Sequence, residues 1–340
     1  MYYIKYIFLP FLIFAGLVEF RTYSQDMHFS QSGNVPLFIN PATAGVMDGD
    51  YRLNVANRSQ WASITVPYTT YLAGFDLKVP AKRKKPYYIG TGIIGYADKA
   101  GDGNFGISGI QLALNYTRTI NQFGNSEVSI AFMTGVNQMG FDATKFYFDR
   151  QFSGDQYVPE SFSGETFNST IKNGFDRSLG LRWKMKTGKK SHIETGLCWY
   201  HIFLSPSGFY TLKPWSNPSR FSFYIAPEIN ISDKTNLFTG IYFQSQSNHR
   251  EILAGADINA QIGSSTFHFI SGVWVRIKDA IILDCGIQYK KLKVTFSYDI
   301  NFSDLNTVSN YQGGPEITLI YIFRKPHAAA VPQTTCPVYY

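Results

Sequence analysis

Residues 291–302 of this 340-residue chain read KLKVTFSYDINF. Apolar side chains occupy every even position from Leu292 to Phe302, and polar side chains occupy every odd position between them. A period of two places successive side chains on opposite faces of an extended strand. The stretch therefore predicts a β-strand with one apolar face and one polar face.

The same alternation recurs along the chain, in residues 128–136, 179–185, 221–231, 251–262 and 281–290. Pro227 would be unfavourable in a central strand, because proline has no N–H group to donate to a neighbouring strand. Stretches of this length bounded by turn residues predict roughly fourteen strands between Tyr51 and Arg324, and an even number returns both ends of the sheet to one side.

Composition narrows the class of protein. Aromatic residues make up 16% of the chain and charged residues also only 16%, with hydrophobic residues at 44%. So many aromatic residues with so few charges indicate a lipid boundary rather than a soluble enzyme. The net charge of +7 is scattered over turns such as 82–85 and 189–190, which argues against nucleic-acid binding. Cys198, Cys285 and Cys336 show no paired spacing, so neither a zinc site nor a disulfide framework is predicted.

The first 24 residues are typical of an export signal. Lys5 precedes an apolar run over residues 7–18, and Thr22 and Ser24 favour cleavage after Ser24. A dozen apolar residues are too few for a helix across about 30 Å of hydrocarbon, and no cysteine follows for lipid attachment. An exported chain is either a soluble domain or a membrane-spanning sheet. Hydrocarbon offers no hydrogen-bond partners, so a spanning sheet must close on itself, and the alternation favours such a barrel.

The lengths of the connections support a barrel independently. Long connections at 140–175, 204–219 and 303–314 should all lie at one end of the barrel, and short turns near 121–126, 188–190, 232–234 and 263–265 at the other. Bacterial outer-membrane barrels sort long outer loops and short periplasmic turns in this way. Aromatic residues near strand ends would form girdles at the membrane interfaces, although ordinary exposed loop aromatics are the alternative: Tyr51, Trp61, Tyr87, Tyr88 and Tyr289.

Motifs that would carry chemistry are weak. Residues 90–95, GTGIIG, match G-x-G-x-x-G, but no helix follows, so we expect these glycines to relieve packing within a strand. Asp98, Asp102 and Asn104 would suit calcium, yet the bidentate glutamate of an EF-hand is missing and turn formation is the commoner role. The six histidines never approach H-E-x-x-H spacing. The sequence therefore predicts no enzyme, no cofactor and no metal.

The loops are the candidate recognition surface. Residues 142–173 form a long connection rich in Phe, Tyr, Ser and Gly, and residues 205–215 form a similar loop that could contact it. A loop without any partner is the alternative. The candidate partner-binding residues are Phe146, Tyr147, Phe148, Tyr157, Phe162, Phe209, Tyr210 and Trp215.

Three short motifs near the mature N-terminus carry a family resemblance. Residues 25–31 read QDMHFSQ, residues 40–45 read NPATAG, and residues 57–61 read NRSQW. This series resembles the PorP/SprF family of type IX secretion system membrane proteins of Bacteroidota, and the Cys336-Pro337 tail is similar to that of the family. The motif positions are Phe29, Ser30, Gln31, Asn40, Pro41, Ala42, Gly45, Arg58, Gln60 and Trp61.

The resemblance implies an all-β, transmembrane antiparallel outer-membrane barrel of about fourteen strands over residues 51–324. It also implies type IX translocon components as partners, and a large secreted adhesin, often encoded nearby, that the barrel exports or holds at the surface through the adhesin's C-terminal domain. The Asn-Pro-Ala motif further resembles the hatch of FadL-type transporters. Residues 25–50 are therefore expected to form a plug and residues 325–340 a periplasmic tail. The alternative hypothesis is a FadL-like transporter or porin for small solutes.

Overall fold

A computed structural model describes residues 26–62, 66–80, 86–120, 125–167, 169–202, 209, 218–303 and 311–324. The predicted signal peptide and the Cys336-Pro337 tail lie outside these residues. Within them, no helix is long and apolar enough to cross a membrane.

Fourteen antiparallel strands close into a barrel, in which the first strand pairs with the last. The prediction of about fourteen strands is confirmed. The barrel strands are β1 (Tyr51–Gln60), β2 (Tyr68–Pro80), β3 (Tyr87–Ala100), β4 (Phe105–Thr119), β5 (Ser126–Gly140), β8 (Ile171–Lys186), β9 (His192–Tyr200), β10 (Arg220–Ser232), β11 (Thr235–Gln246), β12 (His249–Gln261), β13 (Phe267–Arg276), β14 (Ala280–Tyr289), β15 (Leu292–Asn301) and β16 (Gln312–Phe323). A separate small hairpin consists of β6 (Phe152–Ser153) and β7 (Gln156–Tyr157).

The period-two pattern becomes the two faces of the barrel wall. In β4, Leu112 and Leu114 are 58% and 61% exposed on the outside, while Ala113 between them is 3% exposed on the inside. In β15, Phe296 and Ile300 are exposed, whereas Ser297 and Asp299 are buried within the lumen. An apolar surface of this extent is stable only against another apolar medium, so the outer face matches a lipid bilayer.

The two ends of the barrel differ. The strands that precede the long connections, β5, β9 and β15, all end on the side of the barrel where β1 ends at Gln60, which we term the loop end. At the opposite end, where Tyr51 begins β1 and Phe323 ends β16, every connection between barrel strands is short; this is the turn end. The loop sorting expected from the sequence is therefore present.

Aromatic side chains gather on the outer face near the turn end. Tyr51 stacks on Phe323 with ring centroids 5.1 Å apart, and Phe267 stacks on Tyr289 at 4.5 Å. This arrangement is typical of an interface girdle. Tyr88 is not part of it, because its position in β3 puts it on the inward face, where the Lys78 ammonium lies 4.2 Å from its ring centroid. The girdle prediction is wrong for Tyr88, since alternation places adjacent residues on opposite faces.

Pro227, which has no backbone N–H group to donate, lies within barrel strand β10. Pro227 is opposite Ile193 of β9, but β10 and β11 are not paired at residues 226–227, between the pairs Ile225 with Ile241 and Glu228 with Phe238. Because proline cannot donate to a neighbouring strand, the ladder is interrupted locally and then resumes in the same register.

Candidate functional site: an occupied lumen and an aromatic loop

The described residues before β1 pass through the interior of the barrel and reach its turn end. We term residues 26–50 the lumen segment. It contains a 3-10 turn at Ser32–Asn34, one α-helical turn at Pro36–Ile39 and a second 3-10 turn at Pro41–Thr43. A proline begins each of the last two turns, where the missing N–H group costs nothing. The apolar side chains that the segment buries are Phe29, Val35, Leu37, Phe38, Ile39, Ala42 and Ala44.

Two wall carboxylates hold the first part of the lumen segment. The backbone N–H groups of Ser30 and Gln31 donate to the two oxygens of Glu316, at 2.7 and 2.9 Å. The Ser30 hydroxyl donates to Asp299 at 2.6 Å. All four residues are buried, so these bonds are shielded from water. Charge-assisted bonds in such surroundings are stronger than bonds between neutral groups.

Two arginines balance these carboxylates. Arg58 of β1 forms ion pairs with Asp299 at 2.7 Å and with Glu316 at 3.1 Å, and it also donates to the Ser30 hydroxyl. Arg276 of β13 contacts Asp299 at 3.0 Å. The motif residue Arg58 thus lies at the centre of a buried network that joins β1, β13, β15, β16 and the lumen segment.

The Gln31 side chain is fully engaged. Its amide nitrogen donates to the Ser297 hydroxyl at 3.0 Å, and its amide oxygen accepts from Thr318 at 2.6 Å and from Asn34 at 2.7 Å. An apolar residue at this position would leave these buried hydroxyl and amide groups without their hydrogen bonds to residue 31. The surroundings therefore favour glutamine.

Asn40 shows why the chain has asparagine before Pro41. Its side-chain oxygen accepts from the Ala42 N–H at 2.9 Å and so caps the 3-10 turn. Its side-chain nitrogen donates to the carbonyl of Leu181 in β8 at 2.8 Å. The wall admits this side chain because Gly180 faces it, and a Cβ atom there would overlap the Asn40 amide oxygen.

The end of the segment reaches the wall near the turn end. Gly45 has φ of 71°, a conformation that favours glycine, and its N–H donates to Asp76 at 2.7 Å. Arg52 pairs with Asp76 at 2.8 Å. Gly90, the first glycine of the G-x-G-x-x-G match, lies against the segment, and a Cβ atom there would overlap the Ala44 carbonyl oxygen. The glycine run in β3 therefore makes room for the lumen segment.

The start of the segment is held by a cluster that the sequence did not reveal. The Asp26 carboxylate lies 2.7 Å from the His201 ring and 3.4 Å from Arg220, and the Asp26 N–H donates to Gln246 at 2.8 Å. His201 also contacts Asp176 at 2.9 Å. Burial opposes protonation of His201, but the neighbouring carboxylates outweigh burial and raise its pKa to about 9.

The remaining motif positions are separate from these contacts. Phe29 packs edge-on against Phe38 within the segment, with ring centroids 5.2 Å apart. Gln60 ends β1 at the loop end, and Trp61 follows it with φ of 56° and packs against Tyr68 at 4.7 Å. The structure therefore brings the residues around Phe29, Asn40 and Arg58 together but places Gln60 and Trp61 at the barrel rim.

Beside the segment, the lumen retains a cavity of about 260 Å³. Aromatic side chains of Tyr224, Tyr242 and Trp274 line it, together with Glu228 and Lys293. The described residues contain no group of three or more His, Cys, Asp or Glu side chains placed to hold a metal. Asp98 lies within β3 rather than in the predicted turn at 101–104, and its carboxylate accepts a hydrogen bond from Thr70 at 2.6 Å.

Phenylalanines organise the long loop between β5 and β8. Phe141 lies centrally, with ring centroids 5.0 Å from Phe167 and 4.9 Å from Phe209. The complete phenylalanine cluster is Phe105, Phe141, Phe146, Phe148, Phe167 and Phe209. Because Phe209 comes from the second long loop, the two loops are in contact.

Other aromatic residues of this loop face outwards. Tyr147 and Phe162 are 70% and 69% exposed. Tyr157 lies between Tyr147 and Phe152, with ring centroids 4.7 and 5.5 Å away. Of the candidate partner-binding residues, Phe146, Phe148 and Phe209 belong to the phenylalanine cluster, Tyr147 and Phe162 are exposed and Tyr157 is half-buried, while Tyr210 and Trp215 fall outside the described residues. Phe152, which is 47% exposed, was not among the predicted residues.

Comparison with known proteins decides the family. The family model for type IX secretion system membrane protein PorP/SprF matches residues 21–321. The chain belongs to this family. A search of curated proteins finds no match. This PorP/SprF protein is therefore an outer-membrane component of the type IX secretion system, and its family and fold are those of a secretion component rather than an enzyme.

Among solved structures, one supports the barrel fold and two others are similar to this chain at lower scores. The TodX monoaromatic hydrocarbon channel, in a deltaS2 mutant, has a TM-score of 0.51 at 10% identity, covering 85% of this chain and 93% of its own. A Pseudomonas aeruginosa FadL homologue has a TM-score of 0.49 at 9% identity, covering 84% and 93%. The Ralstonia pickettii toluene transporter TbuX has a TM-score of 0.46 at 10% identity, covering 85% and 93%. Each is similar to this chain as a barrel.

Proposed function

We propose that this PorP/SprF barrel supports export or surface anchoring of a large secreted adhesin by binding the adhesin's C-terminal domain with its outer loops. The observation that carries the proposal is the exposed aromatic surface of Tyr147, Phe152 and Phe162 on a loop held in place by the phenylalanine cluster. Tyrosine and other aromatic side chains are enriched at the centres of protein interfaces.

Prior ordering of the loop favours binding. A loop that becomes ordered only on binding loses conformational entropy at that moment, which weakens association. Here Phe141 packs against Phe146, Phe167 and Phe209, and the N–H of Asp142 donates to the Gly103 carbonyl at 2.7 Å. The surface residues are therefore presented on a packed base.

Charge suggests the character of the partner. Residues 141–170 contain five carboxylates, at positions 142, 149, 155, 160 and 165, and only two basic side chains, at 145 and 150. An acidic loop that carries exposed aromatic rings suits a partner surface with apolar pockets and flanking lysine or arginine side chains.

The occupied lumen supports anchoring over solute transport. The lumen segment is bonded to the wall near Asp26, at Ser30 and Gln31, at Asn40 and at Gly45. Transport through the barrel would require these buried bonds to break together. In planar bilayers, we expect the purified protein to remain closed; steady single-channel conductance would favour the FadL-like alternative.

A surface assay tests the proposal in cells. We expect Tyr147→Ser combined with Phe162→Ser to lower the amount of adhesin at the surface and to raise the amount shed into the medium. The control is Tyr311→Ser, because Tyr311 is also an aromatic residue, is 60% exposed and lies on a different loop. If deletion of the whole barrel leaves the surface level unchanged, the proposal is wrong.

A further inference from the structure

Near the loop end, β8 is paired with a neighbouring strand on one side only. β8 pairs with β5 along its length, from Ile171 opposite Gly140 to Met185 opposite Ser126. On its other side, pairing with β9 begins only at Leu179 opposite Trp199. Residues 171–176 therefore extend beyond the end of β9 towards the loop end.

β9 ends early for a visible reason. His201, the residue after its last position, has φ of 55°, which turns the chain away from the strand direction. Its ring is held between Asp176 and Asp26, at 2.9 and 2.7 Å. One further bond, from the Ile202 N–H to the Arg177 carbonyl at 3.0 Å, completes the contact between the two strands.

The register shows which backbone groups face the open side. The Thr170 carbonyl accepts from Phe141, towards β5, whereas the Arg177 carbonyl accepts from Ile202, away from β5. Odd-numbered residues therefore point their N–H and C=O groups to the open side. The Ser169 hydroxyl engages both groups of Ile171. For Asn173 and Phe175, neither group has a hydrogen-bond partner among residues 169–202 or elsewhere in the described part of the chain.

We propose that this open edge, at Asn173 and Phe175, receives an extended strand of the exported partner by β-augmentation. The inference rests on the proposed function and names the contact through which the partner is held. Two residues spaced two apart, each offering an N–H and a C=O in one direction, match the backbone of an antiparallel strand. A helix satisfies its backbone groups internally and cannot provide these partners.

Neighbouring side chains describe the strand that fits. Phe175 is 62% exposed on the outer face, so an apolar side chain is expected opposite it. The Asn173 amide oxygen already accepts from Gln138 at 3.0 Å, which favours a polar or hydroxyl side chain near that position. The edge is also continuous with the acidic aromatic loop, because Thr170 ends that loop and is bonded to Phe141 at its base. One partner can therefore contact both surfaces.

A proline variant isolates the backbone contact. In Asn173→Pro, the lost N–H faces the open side, so the ladder to β5 stays complete. The comparison variant Asn173→Ala loses the same side chain but keeps the N–H group. The probe is the purified C-terminal domain of an adhesin whose surface level falls when the barrel is deleted, bound to the barrel in lipid nanodiscs. We expect the proline variant to bind about tenfold more weakly than the alanine variant, as the loss of one hydrogen bond implies.

Hydrogen exchange on the unmodified protein gives an independent measurement. Binding of the probe should slow exchange of the Asn173 and Phe175 amides and leave the Asn137 amide of the paired strand unchanged. Equal binding by both variants, or unchanged exchange at Asn173 and Phe175, overturns the edge contact while the loop proposal stands. Slowed exchange that depends on barrel concentration without the probe indicates a second copy of this chain and also overturns it. Absence of any binding by the unmodified barrel overturns the proposed function itself.

Discussion

Replacement of Arg58 tests whether the buried network holds the lumen segment in place. The Arg58 side chain is fully buried and forms ion pairs with both Asp299 and Glu316. Arg58→Met keeps a long side chain but leaves Glu316 without its arginine, while Asp299 retains Arg276. Removing one partner of a buried ion pair costs about 3–5 kcal/mol, because the remaining charge is uncompensated. We expect the free energy of unfolding to fall by an amount in this range.

Urea unfolding in lipid vesicles measures this loss. The folded fraction is followed by heat-modifiable migration, and the change in midpoint gives the change in free energy. Arg118→Met is the matched control, since Arg118 is an exposed arginine near the turn end of β4. A surface substitution of that kind should change the free energy of unfolding by less than about 0.5 kcal/mol.

A second substitution refines the test. Glu316→Gln removes the uncompensated charge, and its amide oxygen can still accept from the backbone of the lumen segment. Combined with Arg58→Met, it should recover more than about 1 kcal/mol relative to Arg58→Met alone, as expected for coupled residues. The reasoning is refuted if Arg58→Met costs less than about 1 kcal/mol, or if the two substitutions are simply additive.

Three further predictions concern the same segment. Deletion of residues 26–46 should open the lumen and give measurable conductance in planar bilayers, and a closed deletion variant would contradict the assigned role. Gly90→Val should produce partial conductance, because the added side chain overlaps the Ala44 carbonyl; silent bilayers would contradict it. Since the pKa of His201 is raised to about 9 in the folded protein from about 6.5 in an unfolded chain, its hold on Asp26 should stabilise the protein fully below pH 6.5 and be lost as pH rises through 9. The thermal midpoint of the unmodified protein should then fall more between pH 6 and pH 10 than that of His201→Asn.

The barrel could be predicted from sequence because its walls face two different media. Lipid and lumen impose opposite polarity on adjacent residues, so the stripe from Leu292 to Phe302 specifies both the strand and its orientation. The lengths of the connections then distinguish the loop end of the barrel from the turn end. Tyr88 shows the limit of this reasoning, because aromatic character alone does not tell the inner face from the outer.

The site was less accessible to sequence reasoning, because its contacts join distant parts of the chain. The motifs identified Ser30 and Arg58, but the bond from Ser30 to Glu316 spans 286 positions and depends on the register of closure. His201 belongs to no motif, and its role follows only from the place where β9 ends. Gly90 belongs to a glycine run that is visible in the sequence. The need for glycine there comes from the close approach of the Ala44 carbonyl oxygen, which no local sequence pattern indicates.

The buried network lies at the junction of β1 and β16, and this has a consequence for biogenesis. Ser30 and Gln31 bond to strands from the far end of the chain, so these two residues gain their partners only after the last strand has been exported. Until then these two residues lack their hydrogen-bond partners in the barrel wall. We therefore expect the lumen segment to dock inside the barrel and β1 to pair with β16 in a single late step of membrane insertion.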